Sequence, residues 1–135
     1  MASELRSTFV RKVLPAIVWA AIIFVESSIQ GSKVPSTPVG FDKLVHAAIF
    51  FVLCWLIFRA TADMPQSITR PMRLYLALVI TIVYGFTDEF HQLYVPGRTA
   101  DIYDMAADGF GGIVFVGLAI AGRTWMKRTP ETREN

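Results

Sequence analysis

Two apolar runs in this sequence are each shorter than a membrane is thick. Leu74 to Thr87 and Gly109 to Gly122 hold 14 residues apiece without a charge. At 1.5 Å per residue each covers roughly 21 Å of a hydrocarbon core about 30 Å thick. To cross, the first must continue through Asp88, Glu89, His91 and Gln92 to about Val95. The second must begin near Ile102 and take in Asp104 and Asp108. Both helices then carry ionisable residues at membrane depth, where such groups are costly and usually functional.

The rest of the chain argues for crossing. Hydrophobic residues make up 53% of the 135 positions, more than a small soluble core needs. A further segment, Val13 to Ile29, follows Arg11 and Lys12 and has Pro15 in its first turn. Glu26-Ser27-Ser28-Ile29-Gln30 offers no small-x-small cleavage site, so this segment reads as a retained helix and not a signal peptide. Phe41 to Ala60 is another apolar segment. Pro35, Pro38 and Gly40 mark the loop before it, and the polar stretch Thr61 to Arg73 the loop after it. The expected architecture is one all-α domain, residues 1–135. It is an integral membrane four-helix bundle with spans at about 13–29, 41–60, 74–95 and 102–122 and a polar tail at 123–135. The single cysteine, Cys54, lies inside an apolar run and forms no internal disulfide. A net charge of +2 without basic runs excludes nucleic acid as a partner.

Orientation follows from the basic residues. Arg6, Arg11, Lys12, Arg59, Arg70, Arg73, Arg123, Lys127, Arg128 and Arg133 fall on one side of a four-span chain, ten of its thirteen. Lys33, Lys43 and Arg98 fall on the other. Both termini are therefore expected in the cytoplasm. The acids sort the opposite way: Glu26, Asp42, Asp88, Glu89, Asp101, Asp104 and Asp108 gather toward the outer helix ends. Asp42 and His46 share a face of the second helix, as do Asp88, His91 and Gln92 on the third. Asp101, Asp104 and Asp108 form a stripe at the start of the fourth. The helices thus deliver polar groups to one layer, which must face the bundle interior or water because lipid cannot solvate it.

Each motif also has a plain structural role to fill. His46 serves as an interhelical hydrogen-bond donor whose tautomer Asp42 sets. Arg98, in the turn between the two most acidic helices, clamps Asp88 or Glu89. The glycines at 109, 111, 112 and 117 serve close helix packing, and Gly97 serves a turn. Trp19, Trp55, Trp125, Tyr75, Tyr94 and Tyr103 anchor the membrane interfaces. Packing alone does not call for seven acids and two histidines in one layer. So many carboxylates cannot all ionise in a low-dielectric pocket without protons, Lys43 and Arg98, or a bound cation.

The blocks Asp42-Lys43-Leu44-Val45-His46, Tyr84-Gly85-Phe86-Thr87-Asp88-Glu89-Phe90-His91-Gln92, Val95-Pro96-Gly97-Arg98-Thr99 and Asp104 with Gly109 resemble the VanZ-like membrane proteins. Glu26-Ser27-Ser28 is similar to the family's first-helix ending, and the likeness covers roughly residues 13 to 122. It implies a multi-pass protein of the bacterial cytoplasmic membrane. The family's name-giving member is tied to low-level resistance to teicoplanin, a lipid-tailed glycopeptide antibiotic. Position 108 departs from the family's pattern, carrying Asp where Asn is usual.

The expected ligand set is Asp42, Lys43, His46, Asp88, Glu89, Gln92, Arg98, Asp104 and Asp108. It faces outward and suits an ammonium group, a sugar hydroxyl array or a divalent metal better than a bare phosphate. Two readings stand side by side, and a third, a proton- or cation-coupled transporter, ranks below them because the inner halves of the helices carry almost no polar residues. One is a protein that binds an outer-leaflet membrane lipid, a lipid-linked envelope precursor or an amphiphilic antibiotic. The other is a membrane-embedded hydrolase or transferase, with His46 or His91 as general base and Asp88 and Glu89 beside them. Asp42, His46, Glu89 and Asp104 are the candidate metal ligands, although no HExxH or comparable ligand spacing is present. An oligomer is compatible with either reading.

Overall fold

The computed structural model describes residues 9–33, 38 and 40–128 of the chain, without the side chains of Lys33 and of residues 124–128. The described residues are helical or in turns, with no strand. A π-helical turn, Phe9–Val13, leads into α1, Leu14–Ser27. Three longer helices follow: α2, Phe41–Ala60; α3, Arg70–Gln92; and α4, Ile102–Arg128. These three are long and apolar enough to cross a membrane. The α-helical part of α1 is not: 14 residues rise roughly 21 Å.

Three helix bounds agree with the sequence reading and the others move. α2 keeps its expected ends, and α4 starts at Ile102 because Asp101 precedes it, with Oδ1 accepting from the Tyr103 N–H at 2.8 Å. α3 begins four residues early, at Arg70, with Pro71 in the first turn where proline costs nothing. It ends at Gln92, short of Val95, because a turn closes there as Val95 N–H donates to the Gln92 carbonyl. α4 runs past Gly122 to Arg128, the first strong breaker being Pro130.

α2 is the hub. It runs parallel to α4, packing Phe51 and Phe58 against Phe115, and antiparallel to α1, where Trp19 Nε1 donates to the Ile49 carbonyl at 3.0 Å. Trp19 thus ties two helices together. Tyr84 of α3 donates to the Ala20 carbonyl at 2.6 Å. Gly111 sets how close α2 and α4 come: a Cβ there would collide with the Ala47 carbonyl and the Phe51 backbone. Gly112 faces Leu78 and Thr81 across the α3 contact. Gly109 touches little and Gly117 faces open space, so only two of the four glycines act in packing.

The interior divides along the helix axes. Toward the basic end lies a dry cluster of Cys54, Leu74, Ala77 and Phe115. Nearer the middle, Ile23, Phe50 and Leu53 form a second cluster. Large apolar side chains point outward all along the helices, among them Leu44, Phe86, Phe110, Ile113 and Leu118. A helix this apolar on its outer face suits lipid, not water.

Candidate functional site

Helix spacing and the Gly111 contact assemble the acidic end. With Gly111 seated on Ala47, Asp108, one turn before Gly111, meets His46, the residue before Ala47: His46 Nδ1 lies 2.8 Å from Asp108 Oδ1. Asp108 is 1% exposed. One further turn along α4, Lys43 Nζ donates to Asp104 Oδ1 at 2.6 Å and to Asp101 Oδ2 at 2.6 Å, and pairs with Asp42 at 3.0 Å. The Lys43 ammonium thereby holds the Asp101 carboxyl below the ordinary carboxylate range. α3 contributes Glu89, fully buried, whose Oε2 accepts the Asp101 backbone N–H at 2.8 Å. Gln92 Nε2 donates to Asp88 Oδ2 at 3.2 Å and reaches Glu89 Oε1 at 3.5 Å. Asp88 and Gln92 are both buried.

Of the expected ligand set, Asp42, Lys43, His46, Asp88, Glu89, Gln92, Asp104 and Asp108 therefore form one polar layer across α2, α3 and α4. Two pairings differ from the sequence reading. Asp42 does not set the His46 tautomer; its neighbour Lys43 takes it, and Asp108 supplies the carboxylate at His46. Arg98 does not clamp Asp88 or Glu89. The Pro96–Gly97 turn, with Gly97 at φ +74°, carries Arg98 over the C-terminus of α1. There its guanidinium donates to the carbonyls of Ile29 and Glu26 at 3.1 and 3.3 Å. Those carbonyls lie where a helix runs out of its own donors and favours a cation.

His91 stands apart from the layer. It stacks on Phe24 of α1, ring centroids 4.4 Å apart, and its Nε2 lies 3.0 Å from Ser28 Oγ. Of the four candidate metal ligands, His46 and Glu89 come together, and Asp108 joins them in place of Asp42 and Asp104. All three offer a donor atom within 4.8 Å of the others. Sequence reasoning missed one tie altogether: the two loops at this end touch, Gly31 N–H donating to the Pro96 carbonyl at 3.1 Å. A Cβ on Gly31 would strike the Gly97 carbonyl. A lone glycine in each of two turns was the only signal.

Beside the layer, α1, α2 and α3 enclose a cleft of about 420 Å³. Trp19, Ile22, Ile23, Val45, Ile49 and Phe50 give it an apolar wall, and Glu26, Ser27, Asp42, His46, Asp88, Gln92 and Arg98 give it a polar end.

A family model described as VanZ/LLP1 matches residues 6–125. No curated protein and no solved structure matches the chain. With nearly the whole chain covered, the protein belongs to the VanZ/LLP1 family.

Proposed function

We propose that this VanZ/LLP1 member is a four-span protein of the bacterial cytoplasmic membrane, both termini inside, that binds an amphiphile in its outward-facing cleft. The amphiphile is an outer-leaflet lipid, a lipid-linked wall precursor or a lipid-tailed glycopeptide such as teicoplanin, and binding it contributes to envelope or teicoplanin resistance. The cleft itself carries the reading: an apolar wall that suits an acyl chain leads to a polar end with three carboxylates, one imidazole and one guanidinium. Arg98 is occupied by helix carbonyls, so the polar end favours amines and hydroxyls over a bare phosphate. As for the spans, the π-helical turn lengthens α1 toward spanning length. Arg59 donates to the Arg11 carbonyl at one end of the α1–α2 pair while Ser28 meets His91 at the other, so α1 covers the same depth as its partners.

A hydrolase or transferase is the second reading, favoured by the His46–Asp108 pair, whose imidazole borders the cleft. It would place His46 as general base, oriented by Asp108.

One experiment tests the binding reading and the orientation together. The chain is released from native membranes and weighed by native mass spectrometry, and Glu26→Cys is labelled in intact cells with an impermeant maleimide. Cys54 is fully buried, so the new thiol is the reactive one. A retained amphiphile, and outside labelling that added teicoplanin or envelope lipid slows, are the expected results. A bare chain, or labelling only after the cells are opened, overturns the proposal. Turnover of the retained amphiphile that Asp108→Asn slows would favour the enzyme.

A further inference from the structure

We propose that His46, Glu89 and Asp108 form a binding site for one borderline divalent cation of the Zn²⁺ class. The inference stands apart from the amphiphile reading, since only His46 of its three residues borders the cleft and it needs no ligand there.

The geometry comes first. One donor atom from each residue lies within 4.8 Å of the other two. Three ligands at 2.0–2.2 Å around one Zn²⁺ lie about 3.3–3.8 Å apart, so side-chain movements of up to about an ångström close the site. The three residues come from three helices, and two of them are fixed by other contacts. Glu89 is held by the Asp101 N–H, and Asp108 is set against His46 by the Gly111–Ala47 seating. Such a frame limits rearrangement on binding.

Charge and unmet hydrogen bonding supply the independent support. Glu89 is 0% exposed and Asp108 1%. Asp108 Oδ2 is buried and has no hydrogen-bond partner, and neither has Asp88 Oδ1 one helical face away. Among the described residues no lysine or arginine pairs with Asp88, Glu89 or Asp108; Lys43 is committed to Asp42, Asp101 and Asp104. Up to three buried negative charges are thus faced by one imidazole. Burying unpaired charge is expensive, and Asp108, one of the three, keeps a buried carboxylate oxygen unmet that a cation bound by this group would relieve. One imidazole and two carboxylates suit Zn²⁺, Mn²⁺ or Fe²⁺ better than Mg²⁺, which prefers oxygen alone and retains its waters. Three protein donors would leave a fourth position open. The His46 nitrogen that ligates must be unprotonated, so a proton it carries moves to the other ring nitrogen or to solvent on binding.

The test uses the full chain in detergent, stripped with EDTA and titrated with Zn²⁺ alone. We expect one Zn²⁺ per chain and a raised thermal midpoint. Glu89→Gln and Asp108→Asn each keep an acceptor for the Asp101 N–H or the His46 ring, and each should weaken Zn²⁺ at least tenfold. Asp63→Asn, an acid of the opposite end, should leave the affinity unchanged. Equal binding by wild type and the Glu89→Gln/Asp108→Asn double variant overturns the site. Should the variants unfold, the wild type alone decides: a thermal midpoint that does not move with Zn²⁺ also overturns it. Retention of an amphiphile by the stripped chain is read separately, so either proposal can fail while the other survives.

Discussion

The two ends of this protein use charge in opposite ways. At the basic end Lys12, Arg59, Arg70 and Arg73 each have a plain partner. Lys12 pairs with Asp63, Arg59 donates to the Arg11 carbonyl, Arg70 donates to the Ala119 carbonyl at 2.9 Å, and Arg73 Nε donates to Thr61 Oγ1 at 3.0 Å. Arg70 and Arg73 also lie over the Phe58 ring. These groups sit at helix ends, cap carbonyls and cover the dry Cys54–Phe115 cluster. At the acidic end the carboxylates are drawn inside, outnumber their cations, and leave two buried oxygens unmet. A protein selected only for stability would not keep that arrangement, because unsatisfied buried polar groups cost more than an apolar replacement. The basic end is built for packing, and the proposed function assigns the acidic end to binding.

That contrast can be broken by mutation, the most disruptive change first. Gly111→Leu drives a side chain into the α2 backbone and should abolish the monodisperse folded chain in detergent, while Gly117→Leu, on the same helix but facing open space, should leave its thermal midpoint nearly unchanged. Equal behaviour of the two would show that the Gly111 seating is not what brings His46 to Asp108. Next, Phe115→Ala should cost about 3 kcal/mol of stability with amphiphile retention per folded molecule intact. Asp88→Asn should do the reverse: a midpoint unchanged or higher, and retention weakened about tenfold. Parallel loss of stability and retention in both variants would erase the division of labour.

The smallest expected effect is acid dependence at the rim of the layer. Asp101 has its carboxyl held below the ordinary value of 3.8 by the Lys43 hydrogen bond. Its contribution to stability is therefore present above that value and is lost as pH falls through the lowered one. The thermal midpoint should fall as pH drops below 3.8, and Asp101→Asn should flatten that part of the profile. An unchanged profile in the variant would show the pair to be idle.

The four helices and the polar layer were legible because length arithmetic forces Asp88, Glu89, Asp104 and Asp108 to membrane depth whatever the packing. Pairing was not legible. Asp42 and His46 share a face of α2 at one-turn spacing, yet which carboxylate meets His46 depends on how far α4 slides along α2. Gly111 against Ala47 sets that slide, and no local spacing encodes it. Arg98 failed for a similar reason: the acids nearest in sequence attracted the assignment, while the Gly97 turn aimed it at α1. The glycine pair at Gly31 and Gly97 joins two loops some 66 positions apart and has no signature beyond ordinary turn chemistry.

That loop contact also bears on how an occupant would reach the cleft. Gly31 fastened to Pro96, together with Arg98 over the last carbonyls of α1, narrows the outward mouth of the cleft at the acidic end. The Lys12–Asp63 pair and the Arg59–Arg11 contact close the basic end. Between these two seams, Ile22 and Val45 line the cleft and are also exposed on the helix surface, so its open side faces sideways. An amphiphile taking that route arrives by diffusing within the leaflet. Occupancy is then set by the occupant's mole fraction in the lipid and not by its concentration in the surrounding water. A weak intrinsic affinity would suffice for a component that makes up a few per cent of the bilayer, and a drug that partitions into membranes would compete on the same terms.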